Sequence, residues 1–175
     1  MKFFSSACSA IILTAIICLG CSKQQAEWKL FISQAGGYSA LFPGQPKERV
    51  MNERLKVVHI ATYEEDNKRA AYMVVYADIG EQSPKKDVDK YYDDARNGII
   101  AKSGNRLLTE KAVELGGISG REMEVSAEKG ANFCVVRVFL VKDRLYQAIV
   151  VEPTENRASS NILYFLNSFQ LSDAK

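Results

Sequence analysis

The sequence predicts an α+β fold, with a central, mainly antiparallel sheet of about six to seven strands covered by two or three helices. Three observations carry this. Apolar runs of strand length are joined by turns too short to hold crossover helices. Several of those runs are apolar on both faces, so the sheet needs cover on both sides. Two further stretches repeat their apolar residues with the helical period.

Trp28 to Ser33 and Tyr38 to Phe42 flank Gln34-Ala35-Gly36-Gly37 and read as a hairpin, although Trp28, Phe31 and Ile32 also suit one helical turn. Pro43-Gly44-Gln45-Pro46 breaks the chain. Leu55 to Tyr63 reads as a strand with Val57, His59, Ala61 and Tyr63 on one face, and Ala70 to Ile79 as its partner across a polar turn. Ser83-Pro84 predicts a helix start, a capping hydroxyl followed by proline where its missing N–H costs nothing. Val88, Tyr92, Ala95 and Ile99 then form one apolar stripe, bordered by Tyr91, in a helix over 84–102. Leu107 to Leu115, Gly120 to Ala127, Asn132 to Val141 and Leu145 to Glu152 read as four strands joined by short turns. A second helix is expected over Asn156 to Phe169, with Ala158, Ile162, Phe165 and Phe169 on one face.

The strands differ in their faces. Ala70 to Asp78 and Phe133 to Val141 are apolar on both sides, Arg137 being the one charge in the latter, which predicts cover on both faces. Arg121 to Glu128 alternates, with Glu122, Glu124 and Glu128 on one side. That pattern places it towards an edge or under a solvated face.

The N-terminus carries a different message. Lys2 precedes an uncharged, mostly apolar run from Phe3 to Leu19, closed by Gly20-Cys21-Ser22. This is the pattern of a secretory signal over residues 1–20. The run of about 17 residues is at the lower limit for a membrane span, and Ser22-Lys23-Gln24-Gln25 has no stop-transfer cluster. The cysteine after Gly20 resembles the lipobox of bacterial lipoproteins, although the position three before it, usually Leu there, is Cys18. The resemblance implies that Cys21 receives diacylglycerol and an N-acyl chain such as palmitate, and that residues 21–27 form a lipidated cysteine and a short tether. It implies a cell-envelope location, and the periplasmic face of the outer membrane if the host is Gram-negative, because Ser22 is not Asp. Ser22 to Glu27 reaches at most about 20 Å, which keeps the domain near the headgroups.

Composition narrows the partners. The formal charge of +2 over 175 residues becomes +1 once Lys2 leaves with the signal. That balance gives no electrostatic footprint for nucleic acid. Of the four cysteines, Cys8 and Cys18 leave with the signal and Cys21 carries lipid, so the domain keeps Cys134 alone and forms no internal disulfide. Cys134 lies in an apolar run and reads as a core residue.

The stretch Gly36-Gly37-Tyr38-Ser39-Ala40-Leu41-Phe42-Pro43-Gly44-Gln45-Pro46 resembles the opening hairpin of bacterial PsbP-like domains. Leu115-Gly116-Gly117-Ile118-Ser119-Gly120-Arg121-Glu122, Arg144-Leu145-Tyr146-Gln147 and Phe165-Leu166-Asn167-Ser168-Phe169 agree with it. The resemblance implies an α/β/α sandwich over residues 28–172 as a single domain. It also implies an extrinsic binding or assembly role, as members of that family mostly have. No residues match a metal-binding motif of PsbP, so the resemblance transfers no site.

Chemistry-bearing residues are sparse. His59 is the one histidine, so a multi-histidine metal site is impossible. Its place in a strand reads as a hydrogen-bonded sheet residue. Glu122 and Glu124 share a strand face and could act as acid and base or bind a hard cation, but a solvated face accounts for them. Gly116-Gly117-Ile118-Ser119-Gly120 lacks the dinucleotide spacing and reads as a hairpin loop. His59, Glu122, Glu124 and Tyr91 are therefore candidates for a binding surface, with no catalytic residue, cofactor or metal expected. The expected function is a non-enzymatic, lipid-anchored envelope protein with an envelope protein partner. The alternative is a small-ligand or metal-binding module with a pocket between the sheet and the 84–102 helix. A hydrolase is the remaining alternative.

Overall fold

The computed structural model describes residues 27–172 apart from 54–55, 66–68, 81–86 and 102–103. The expected signal, Cys21, nearly all of the tether, and the Ser83-Pro84 helix start lie outside the described residues.

Among the described residues, ten strands form two sheets. The larger has seven strands: β3 (Lys47–Glu53), β4 (Lys56–Glu64), β5 (Ala71–Asp78), β6 (Arg106–Leu115), β7 (Ile118–Ala127), β8 (Asn132–Val141) and β9 (Arg144–Pro153). Their order is β3-β4-β5-β9-β8-β7-β6, with every neighbouring pair antiparallel. The smaller sheet joins β1 (Lys29–Ser33) and β2 (Tyr38–Phe42) to β10 (Gln170–Leu171), in the order β1-β2-β10. The helices are α1 (Val88–Ile100) and α2 (Ser160–Ser168). The result is the expected antiparallel α/β/α sandwich, with α1 on one face of the large sheet and α2 with the small sheet on the other.

Turn chemistry fixes the hairpins. Leu115 pairs with Ile118 across Gly116 and Gly117, whose φ values of 57° and 83° suit a two-residue turn that β-carbons resist. β1 resolves the helix-or-strand choice at the N-terminus: Ser33 pairs with Tyr38 and Lys29 with Phe42.

Four elements differ from the sequence reading, the first being the two-residue β10, which was not expected. β3 was not expected, because its charged residues surround a single Val-Met pair. It is an edge strand, where exposure of both faces erases the apolar alternation. α2 begins at Ser160 rather than Asn156. Thr154–Asn156 forms a 3₁₀ turn, and the Ser159 hydroxyl accepts the Asn161 N–H at 3.3 Å to cap the helix, leaving Ala158 exposed. α1 has Asp87 as its cap, the carboxylate accepting the Lys90 N–H at 3.1 Å.

The core is divided by the sheet. Tyr38, Phe42, Tyr72, Phe139, Phe165 and Phe169 fill the side under α2 and the small sheet. Their rings meet at 5–6 Å, as in Phe42–Phe165 at 5.1 Å and Tyr38–Phe169 at 5.7 Å. Tyr92, Met123, Val125, Val136 and Val138 fill the side under α1, where Cys134 is buried. β8 is covered on both faces, as its sequence predicts. β5 is not: Tyr72, Val74 and Tyr76 are buried, while Met73, Val75 and Ala77 on the other face are half-buried. The cause is that α1 packs over β7 and β8 and leaves the rest of its face open.

Candidate functional site

The partly covered face forms a groove of about 800 Å³ between α1 and the sheet. Ala95, Gly98 and Ile99 line it from the helix, and Val136, Ile149 and Val151 from the sheet, with Lys56 and Gln147 as polar groups from the strands. Asp94, Asn105 and Asn132 give it a polar rim. This volume is in the range of small-molecule sites.

One flank of α1 is clamped, which fixes where the groove lies. The Tyr92 hydroxyl donates to the Ser119 carbonyl at 2.7 Å and accepts the Leu140 N–H at 3.3 Å. Burial pushes that hydroxyl's pKa up, against the opposing effects of the Leu140 N–H and Arg121. Arg121, from β7, donates to Asp89 at 2.7 Å and Asp93 at 2.7 Å on α1, and to Glu110 at 2.8 Å on β6. Arg96 returns from α1 to Glu110 at 3.1 Å. A planar guanidinium can bridge several carboxylates because its donors fan out in one plane. The three acids converge on Arg121, so a cation already occupies their centre. Among the described residues, no group of three or more His, Cys, Asp or Glu is arranged to hold a metal ion.

The residues singled out by sequence lie elsewhere and do not converge. Tyr91 is half-buried on α1, outside the groove lining. His59 stacks on Tyr76 with centroids 4.4 Å apart and planes 1° from parallel; its contact is a ring stack where a hydrogen bond was expected. Glu122 and Glu124 occupy the opposite face of the sheet from the groove. Three strands separate His59 on β4 from Glu122 on β7, about 19 Å at the usual strand spacing.

Glu122 does not sit on a solvated face. It is 4% exposed and held by Arg137 Nε at 2.6 Å and Lys111 Nζ at 2.8 Å. Glu124 has its own cation, Arg157, at 2.9 Å. Burial pushes the Glu122 carboxyl up, but the Lys111 and Arg137 hydrogen bonds outweigh it and hold the pKa below the usual carboxylate value. The two glutamates line a shallow cavity of about 390 Å³ beside Ile162 and Leu163 of α2. The available signal was Arg137 itself, a lone charge in an apolar strand, which must find a carboxylate on a neighbouring strand.

This architecture defines a PsbP-like fold. The solution structure of cyanobacterial PsbP (CyanoP) from Synechocystis sp. PCC 6803 matches with a TM-score of 0.62 at 12% identity, covering 83% of this chain and 93% of that one. The crystal structure of the Ran-binding protein Mog1p from Saccharomyces cerevisiae matches at 13% identity with a TM-score of 0.48, covering 85% and 97%. No protein-family profile and no curated protein sequence matches the chain.

Proposed function

We propose that this chain is a lipid-anchored protein of the cell envelope whose domain binds or helps assemble another envelope component without catalysing a reaction. The observation that carries it is Cys21, placed after an uncharged apolar run and a small residue, about six residues before the domain. Acylation there would hold the domain stably at a membrane, since two or more chains suffice. If the host is Gram-negative, that membrane is the outer one and the domain faces the periplasm. The partnering of the polar residues supports a binding role. Glu122, Glu124 and His59, which an acid–base mechanism would draw on, are engaged by Arg137 and Lys111, by Arg157 and by Tyr76. The test is in-cell crosslinking of the full-length protein followed by mass spectrometry, beside a Cys21→Ser control. One dominant envelope partner, lost in the control, is expected. No specific partner in either form would overturn the assembly role.

The groove favours a second reading, a module for a small apolar ligand held under α1. Native mass spectrometry of the purified protein tests it: a co-purifying small molecule displaced by Gly98→Leu supports it, and bare protein from every preparation counts against it.

A further inference from the structure

The described chain enters the domain beside an apolar surface. Leu30 and Ile32 alternate on β1 and are 62% and 61% exposed. They point outward because Tyr38, Ala40 and Phe42 on the paired strand face the core, and Leu30 lies directly opposite Leu41, which is half-buried on the same outer face. Trp28 precedes β1 and is half-buried: its ring meets the core residue Tyr72 edge-on at 5.7 Å on one side and Tyr164 of α2 edge-on at 4.7 Å on the other, with Tyr164 50% exposed. The exposed Leu30 and Ile32 of β1 and Tyr164 of α2 thus lie on either side of a half-buried Trp28 in the chain's path into the domain. Glu27 and Lys29 flank Trp28 with opposite charges, so apolar contact dominates.

We propose that this surface, Trp28, Leu30, Ile32, Leu41 and Tyr164, rests on the lipid bilayer to which Cys21 is attached. The inference rests on the anchoring reading above. Ser22 to Glu27 spans at most about 20 Å, so the acylated cysteine brings the Trp28 end of the domain against the headgroups. Tryptophan and tyrosine favour that boundary because their rings are apolar with one polar group. A patch of five residues is too small to hold a free domain on a membrane. A tethered domain meets the surface as an intramolecular event at high effective concentration, and a small patch then sets its orientation. Docking through this face leaves the groove under α1, on the other side of the sheet, turned away from the lipid and open to a partner.

Trp28 is the single tryptophan of the chain, so its emission reports this surface alone. Full-length protein carrying its anchor is reconstituted into phosphatidylcholine vesicles with brominated acyl chains. Strong quenching of Trp28 is expected in the wild type, with loss of that quenching in a Leu30→Gln/Ile32→Gln variant of equal acylation and unchanged near-ultraviolet circular dichroism. Unquenched emission from acylated wild type overturns the proposal, as does equal quenching in the variant. A crosslinked dimer that the double variant abolishes also overturns it and assigns the face to a second copy. An intact mass without acyl chains sinks the anchoring reading and this one together, so the mass distinguishes the two failures.

Discussion

Arg137 and Glu122 face each other across β8 and β7, Nε to Oε2 at 2.6 Å, with the carboxylate almost fully buried. The guanidinium also donates to the Leu166 carbonyl at 3.1 Å and to Asn167 Oδ1 at 2.9 Å, so one side chain ties the sheet to the C-terminal end of α2. A buried charge is tolerated only when such partners replace water.

Removing Arg137 should therefore cost more than a surface pair would. Arg137→Ala leaves Glu122 with Lys111 alone, and a loss of about 3 kcal/mol is expected, measured by urea denaturation. The pair also sets an acid dependence. The folded Glu122 pKa is depressed, so its contribution is present above the unfolded value of about 4.3 and is lost as pH falls through the folded value. Asp78, held down by its Arg144 hydrogen bonds, adds an acid step of its own. The readout is thus the difference between wild type and Glu122→Gln. The variant is expected to lose less stability between about pH 5 and pH 3, and parallel curves would refute the assignment.

The clamp on α1 makes a local prediction. Tyr92→Phe deletes one hydroxyl and leaves both the Ser119 carbonyl and the Leu140 N–H without it, a cost of about 1–2 kcal/mol. Arg121→Ala removes the charge that Asp89, Asp93 and Glu110 share, leaving Arg96 as the cation beside Asp93 and Glu110 and Asp89 without its Arg121 pair. Faster amide hydrogen exchange through α1 is expected, with β8 and β9 unchanged. Arg121→Lys should rescue little, because one ammonium cannot span three carboxylates as the planar fork does.

Most of the sheet was legible because its turns are: Gly116-Gly117 and Lys142-Asp143 each join apolar runs at hairpin spacing. β3 was hidden because an edge strand such as Lys47–Glu53 buries too little for alternation to register. The start of α2 was misplaced because Asn156 to Ser160 is polar in either a helix or a 3₁₀ turn, and only the Ser159 cap separates the two. A pocket between the sheet and α1 was the alternative reading of the sequence, but its position along the sheet and its lining could not be read. It exists because α1 sits over β7 and β8, and that offset is set by Arg121 reaching residues 28 and 32 positions away. Sequence periodicity reports which face of a helix is buried, and is silent on where along a sheet the helix lies.

Tyr72 and Glu152 make a second buried polar contact, in the core under α2. The Tyr72 hydroxyl donates to Glu152 Oε1 at 2.6 Å, and Asn156 Nδ2 donates to Oε2 at 3.0 Å. Burial, then the hydrogen bond to Glu152, push the Tyr72 hydroxyl pKa well above its usual value, so it stays a donor. Tyr72→Phe keeps the packing but strips a buried carboxylate of one donor. A loss of about 2 kcal/mol is expected, a fall in Tm of about 5 °C for a domain of this size. An unchanged Tm would mean that water satisfies Glu152 in the variant.

Two glycines predict opposite responses to the same added methyl. Gly98 is inside α1 with nothing within 4 Å of where a β-carbon would stand, because that position faces the open groove. Gly98→Ala therefore gains helix propensity without a clash, and a stabilisation of about 1 kcal/mol is expected. Gly120 lies on β7 opposite Phe139, where a β-carbon would stand 2.4 Å from the Phe139 ring and 2.4 Å from the Val138 carbonyl oxygen. The ring could rotate, but the carbonyl belongs to the neighbouring strand and can move only with the sheet. Gly120→Ala should destabilise by about 2 kcal/mol, read by thermal denaturation in parallel with Gly98→Ala. If Gly98→Ala destabilised instead, α1 would have to pack closer to the sheet than it does here, and the groove beneath it would be filled.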